Sequence, residues 1–130
     1  MHPFRQAIEK GDLESVFALL AEDVTFVSPV AFAPYTGRPL VTEILRGASQ
    51  VFEDLRYVKE LADPEGRDHA LVFQARIGDR EINGCDFVHH DDNGLIDELR
   101  VMVRPLSAAN ALAEAMGAQF ERIARETGLV

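Results

Sequence analysis

The chain has one cysteine, no tryptophan, two tyrosines, and 13 basic residues against 22 acidic ones. A lone Cys85 excludes an internal disulfide and a cysteine-based zinc site. It fits a reducing compartment. The formal net charge of -9 repels nucleic acid and anionic membrane surfaces, so neither is expected as a partner. No apolar window reaches the length of a membrane span. The N-terminal stretch MHPFRQAIEKGD has no apolar signal core, so the cytoplasm is the expected location. There is no internal repeat, low-complexity segment or linker, and no motif asks for a cofactor. What is present is 130 residues, 47% apolar and 27% charged. That composition predicts one soluble domain over 1–130, able to bury a single core without disulfides or metals.

Residues 3–10 predict a short helix, with Pro3 in its first turn and Phe4, Ala7 and Ile8 on one face. Gly11 ends it. Asp12 caps a second helix whose apolar stripe is Leu13, Val16, Phe17, Leu19 and Leu20. Residues 23–28, DVTFVS, predict a short β-branched strand. A loop with three prolines follows, apolar at Val30, Phe32 and Tyr35. A third helix is expected over 39–52, with Leu40, Ile44, Leu45, Ala48 and Phe52 inward. From Leu55 the pattern becomes extended: 55–62, 68–77, 80–90 and 95–104, joined by short turns as an antiparallel meander. In the second of these runs Leu71, Phe73, Ala75 and Ile77 share a face. Ser107 is expected to cap a C-terminal helix with Leu112, Met116, Phe120 and Ile123 on one side. Early helices, then a long meander, give an α+β fold. Long strands beside short helices favour a cone with an apolar interior.

Asp86 is the residue of chemical interest. It lies between Cys85 and Phe87, and period two places Val88 and His90 on its face. The last strand then turns Leu99, Val101 and Val103 toward it. An interior carboxyl among such groups has its pKa raised by desolvation. Protonated, it donates to a developing oxyanion; ionised, it abstracts a proton. The bland alternative is a buried acid hydrogen-bonded to a tyrosine or to backbone, with a structural role. His89, His90, Asp91 and Asp92 have metal-ligand chemistry, but adjacent strand residues point to opposite faces. They are expected to be solvated hairpin residues, with no metal, and His90 is the one able to reach a pocket mouth. His69 is expected at the surface and His2 at a free terminus. Tyr35 and Tyr57 are the only phenols. Either can hydrogen-bond a ligand; packing is the plainer role for both, and Tyr35, in the proline-rich loop, is the better placed for the pocket. Ser28 is expected as a polar pocket group, and Phe32, Phe52 and Phe73 as apolar lining. Cys85, Phe87, Arg100, Met102 and Arg104 form a mixed apolar-basic outer face, which predicts an interface.

Three stretches carry a resemblance to a known family: AIEKGDLESVFALLAEDVTF, SPVAFAPYTGRP and GCDFVHHDDNGLIDELRVMV. In that order and spacing they resemble the NTF2-like superfamily, its SnoaL-like and ketosteroid-isomerase-like members in particular. The resemblance covers residues 4–105. It implies a cone-shaped, cystatin-like curved sheet wrapped around N-terminal helices, with an added C-terminal helix here. It also implies an apolar pocket for a small apolar or semi-polar molecule, and homodimers through the sheet. The fold hosts isomerases, cyclases, dehydratases, hydrolases and binding modules. Steroid isomerases place a general-base aspartate where this chain has Ser28, and a donor tyrosine where it has Phe4. Their strand aspartic acid matches Asp86. The epoxide-hydrolase branch needs a last-strand aspartate where Val101 stands, and the polyketide-cyclase branch uses an aspartate at the position of Asp86. The expected function is therefore a small-molecule pocket protein, an isomerase, cyclase or lyase with Asp86 as acid or base. The alternatives are a non-catalytic ligand-binding or accessory module with a structural Asp86, and a protein-interaction domain.

Overall fold

Helix α1 is Pro3–Lys10. Its proline occupies a position where no helical N–H is needed, and His2 caps it, Nδ1 accepting the Phe4 N–H at 3.0 Å. Gly11 closes it at φ 71°, a left-handed conformation that suits glycine, and its N–H reaches the Ala7 and Ile8 carbonyls. Asp12 accepts the Ser15 N–H and starts helix α2, Leu13–Ala18. Strand β1, Leu20–Val27, follows directly. These are the elements of a computed structural model that describes residues 1–130.

Strand β2 is Tyr35–Thr36, helix α3 Arg38–Val51, strand β3 Glu53–Ala62, strand β4 Asp68–Ile77, strand β5 Arg80–His90, strand β6 Ile96–Arg104 and helix α4 Leu106–Thr127. The fold is α+β, a six-stranded curved sheet in the order β2-β1-β6-β5-β4-β3. The meander β3 to β6 is antiparallel throughout. Strand β1 joins it in parallel beside β6, and β2 pairs antiparallel with β1 at the edge.

Several boundaries differ from the sequence expectation, each for a tertiary reason. Strand β1 begins at Leu20 rather than Asp23, because Leu20 pairs with Ile96 and the Leu19 carbonyl accepts the Ile96 N–H at 2.8 Å. The proline-rich loop contains a two-residue strand, β2, held by Thr25 opposite Thr36 and Phe26 opposite Tyr35. Helix α3 buries Val41, Ile44 and Gly47, while Leu40, Leu45 and Ala48 pack partly buried against the core. Ser107 does not cap α4. Pro105 stands at the cap and its carbonyl receives the Ala109 N–H, so the helix starts two residues earlier without a side-chain cap.

The core lies between the helices and one face of the sheet. Phe4, Val16, Phe17, Leu20, Val24, Val41, Ile44, Leu71, Phe73, Ile82, Val88, Leu99, Leu112 and Ile123 are buried there. Period two alone explains which strand residues join: in β4, Leu71, Phe73 and Ala75 are buried and their neighbours only partly so. The other face carries Phe87 and Met102, both exposed.

Candidate functional site

The sheet and helices do not close completely on each other. Between them is a cavity of ≈ 600 Å³, walled mostly by apolar side chains that include Phe4, Ile8, Phe26, Ile44, Phe52, Leu55, Phe73, Leu99, Val101, Leu112 and Met116. That is the size of a small-molecule site. Asp86 stands in its wall, 7% exposed. It reaches that position from the middle of β5, opposite Leu71 of β4 and Val101 of β6, both apolar.

The Tyr57 hydroxyl donates to Asp86 Oδ2 at 2.6 Å. Asp86 Oδ1 makes no hydrogen bond within the protein. Burial pushes the Asp86 carboxyl up to about 7, against a smaller lowering by the Tyr57 hydrogen bond. Burial also pushes the Tyr57 phenol well above its ordinary range, and the adjacent Asp86 carboxylate adds to that. The pair therefore holds one phenol that stays protonated and one acid that titrates near neutrality. A carboxyl of that kind has both forms populated at physiological pH, as general acid–base chemistry requires.

Helix α1 holds Tyr57 in place. Strand β3 is the edge of the sheet, and there the Tyr57 backbone would lack partners on one side. The Tyr57 N–H instead donates to Glu9 Oε2 at 3.0 Å, and the Tyr57 carbonyl accepts from Arg5 at 3.3 Å. Arg5 and Glu9 are themselves paired at 3.3 Å, one turn apart on α1. The Tyr57 ring meets Phe73 edge-on with centroids 6.0 Å apart, and Phe73 meets Phe52 in the same way at 5.7 Å. The Phe73 ring covers Gly84: a Cβ there would lie 2.2 Å from Phe73 Cζ. Only a residue without a side chain fits beneath it.

Of the residues singled out in the sequence, Asp86, Ser28, Phe52, Phe73 and Val101 line the cavity. The Ser28 hydroxyl is occupied by the loop, accepting the Val30 N–H at 3.1 Å and the Ala31 N–H at 3.2 Å. Four others lie elsewhere. Tyr35 stacks on Phe120 of α4 with centroids 5.2 Å apart, because β2 fixes it against that helix. Phe32 is fully exposed at the loop tip. Together with Val103 it borders a second hollow of ≈ 560 Å³, shared with Val101, Arg100 and Met102. His90 does turn to the Asp86 face, but it sits beyond the cavity in a cluster with His2 and His69. His2 is buried rather than at a free terminus, and His69 belongs to the same cluster rather than standing alone at the surface. His89, on the opposite face, pairs with Asp97 at 2.6 Å.

Tyr57 lines the cavity and bonds Asp86, where the sequence favours packing. Its register was legible in principle: the short turn after β3 sets Tyr57 opposite Phe73. A register shift between Tyr57 and Lys59 breaks the simple alternation on β3 and hides the signal.

Comparison with known proteins places this geometry. None of the curated proteins matches the chain significantly. Among solved structures, a steroid delta-isomerase from Pseudomonas aeruginosa is 42% identical over 92% of this chain and 87% of its own, with a TM-score of 0.86. An uncharacterised protein with a cystatin-like fold from Silicibacter pomeroyi is 36% identical over 95% of this chain and 86% of its own, with a TM-score of 0.88. A putative polyketide cyclase from Pseudomonas putida is 17% identical over 82% of this chain and 89% of its own, with a TM-score of 0.65, which is a likeness of fold. The family model described as a SnoaL-like domain matches residues 2–99, and with the two closely similar structures this shows that the chain belongs to the SnoaL-like, NTF2-fold family.

Proposed function

We propose that this protein binds a small apolar or semi-polar molecule carrying a carbonyl group, and that Asp86 moves a proton on it. The reaction class is that of an isomerase, cyclase or lyase. The observation that carries this reading is the half-free carboxyl. Asp86 Oδ2 is held by Tyr57 while Oδ1 has no protein partner, and the group stands in an apolar cavity wall. A structural acid in such a wall would have both oxygens satisfied. Protonated, Asp86 donates from Oδ1 to a substrate carbonyl as enolate charge develops, with Tyr57 supporting the carboxylate that remains. Ionised, it takes a proton from carbon beside the carbonyl. Kinship with a steroid delta-isomerase supports the class. The substitution of Ser28 and Phe4 for that chemistry's usual groups argues that the base and donor are not distributed as in the steroid isomerases.

The test uses apolar cyclic ketones as probes, with binding followed by Tyr57 fluorescence and proton exchange by deuterium uptake from D2O. Wild type is expected to bind and to exchange α-protons. Asp86→Asn keeps the cavity and should bind but lose exchange by roughly a hundredfold or more. Equal exchange by both proteins would overturn the assignment. Binding without exchange by wild type would favour the second reading, a ligand-binding accessory module. That reading draws on one observation: the Ser28 hydroxyl is already used by loop amides.

The outer sheet face is proposed as a homodimer interface. Phe87 and Met102 are 40% and 54% exposed there, beside Arg100. An exposed apolar strip on a sheet, rimmed by charge, is the composition of an interface centre and rim.

A further inference from the structure

We propose that His2, His69 and His90 form a transition-metal site, best suited to Zn²⁺, that ties the N-terminal helix to the sheet. The three come from distant parts of the chain: the cap of α1, the start of β4 and the end of β5. One ring nitrogen from each lies within 4.8 Å of the others. The ring centroids are 4.5 Å apart for His2 and His69, 5.0 Å for His2 and His90, and 5.3 Å for His69 and His90. Nitrogens bound tetrahedrally to zinc at ordinary bond lengths stand about 3.4 Å from one another. His2 Nε2 and His90 Nε2 stand 2.8 Å apart, inside that value, and the His69 nitrogen lies within 4.8 Å of both, so the three rings need small rotations to share one ion.

The partners of the outer nitrogens fit this use. His90 Nδ1 lies 3.0 Å from the Gly94 carbonyl, and His69 Nε2 lies 3.0 Å from the Gly66 carbonyl. A carbonyl only accepts, so each of these nitrogens carries the proton. The lone pairs are then on His90 Nε2 and His69 Nδ1. A ligating histidine typically donates its other N–H to a backbone carbonyl in this way. His90 is thus already in the metal-binding tautomer, since its Nε2 is the atom that meets His2.

His2 differs. Its Nδ1 accepts the Phe4 N–H, so its Nε2 carries the proton and donates to His90 Nε2 at 2.8 Å. Zinc would take the place of that bridging proton. The His2 ring proton would move to Nδ1, and the Phe4 N–H would lose its acceptor. One capping hydrogen bond is small beside three zinc–nitrogen bonds. The exchange also makes the site readable, because loading must perturb the Phe4 amide. Phe4 and Ile8 of α1 line the cavity, so the metal would stiffen one of its walls. His89 is excluded: it faces the other side of the sheet and pairs with Asp97.

The experiment is a titration of the whole protein with Zn²⁺ alone, against a chromophoric chelator, with Mg²⁺ as a control. Wild type is expected to bind one zinc per chain at micromolar or tighter affinity, to melt higher when loaded, and to show a shifted Phe4 amide resonance. His2→Asn retains a good helix cap while removing the ligand. It should fold as the wild type does and bind zinc roughly thirtyfold or more weakly. His69→Gln should weaken binding similarly from a different element. Equal zinc affinity in wild type and both variants would overturn the proposal, as would zinc binding that leaves the Phe4 amide unmoved.

Discussion

A carboxyl held near neutrality by burial leaves a thermodynamic mark. Asp86 titrates at about 7 in the folded chain, against an ordinary carboxyl value of 3.8 when unfolded. Between those values the folded state keeps the proton that the unfolded state releases, so stability falls as pH rises through that window. The loss is complete above the folded value and is of order 4 kcal/mol for a shift of this size. Asp86→Asn removes it, and denaturant melts of wild type and variant should diverge from pH 4 to pH 8, the variant gaining relative stability at the alkaline end. Parallel pH profiles would contradict the burial argument. Tyr57→Phe should do the reverse of a base: with its hydrogen bond gone, the remaining influence on Asp86 is desolvation, and the carboxyl should titrate higher than in wild type. That shift is measurable by the carboxyl infrared band. At this scale the sequence was partly legible. Period two put Asp86 inside, because strand alternation is local. Which of the two tyrosines bonds it was not, because Tyr57 comes from a strand two positions away across the sheet, after an irregular register. His2 was illegible for a similar reason, since only tertiary packing brings it to His90, 88 residues on.

Elements were easier to read than their partners. The Gly11-Asp12 corner, the four meander strands and the turns between them follow from caps, alternation and turn residues, all short-range signals. Strand β2 and the early start of β1 were not readable. Both depend on pairing with chain far away, and two residues carry no periodicity. Phe73 of β4 packs directly over Gly84 of β5. Gly84→Ala should displace the Phe73 ring and with it the floor beneath Tyr57 and Phe52. Overpacking of this kind costs about 1–3 kcal/mol. A lowered melting temperature, together with weakened probe binding, is the expected result. The open hairpin turn at Gly94, beyond the far end of β5, has nothing within 4 Å of an added Cβ, but its φ of 80° still disfavours a side chain. Gly94→Ala should therefore cost stability while leaving ligand affinity alone, which separates backbone strain from cavity damage.

For the whole molecule, the curved sheet has two unlike faces. Its inner face closes on the helices around the cavity, and its outer face is left with Phe87 and Met102. Phe87→Glu combined with Met102→Glu places like charges across any symmetric contact of that face. Under the proposed interface, native mass measurement reports a dimer for wild type and a monomer for the variant; a monomeric wild type, or equal masses, would overturn it. The negative overall charge and the α+β class were plain from composition and order of elements. The hollow was only implied, because a gap between layers is a property of curvature and of how far helices reach, which no single stretch encodes.

The proposed proton transfer depends on the state of one acid. The most direct measurement is a ¹³C NMR titration of the Asp86 side-chain carboxyl in the folded protein, repeated with an apolar ketone bound. A midpoint near 7 that moves on ligand addition is the predicted result. A midpoint in the ordinary carboxylate range near 4, indifferent to ligand, would contradict it.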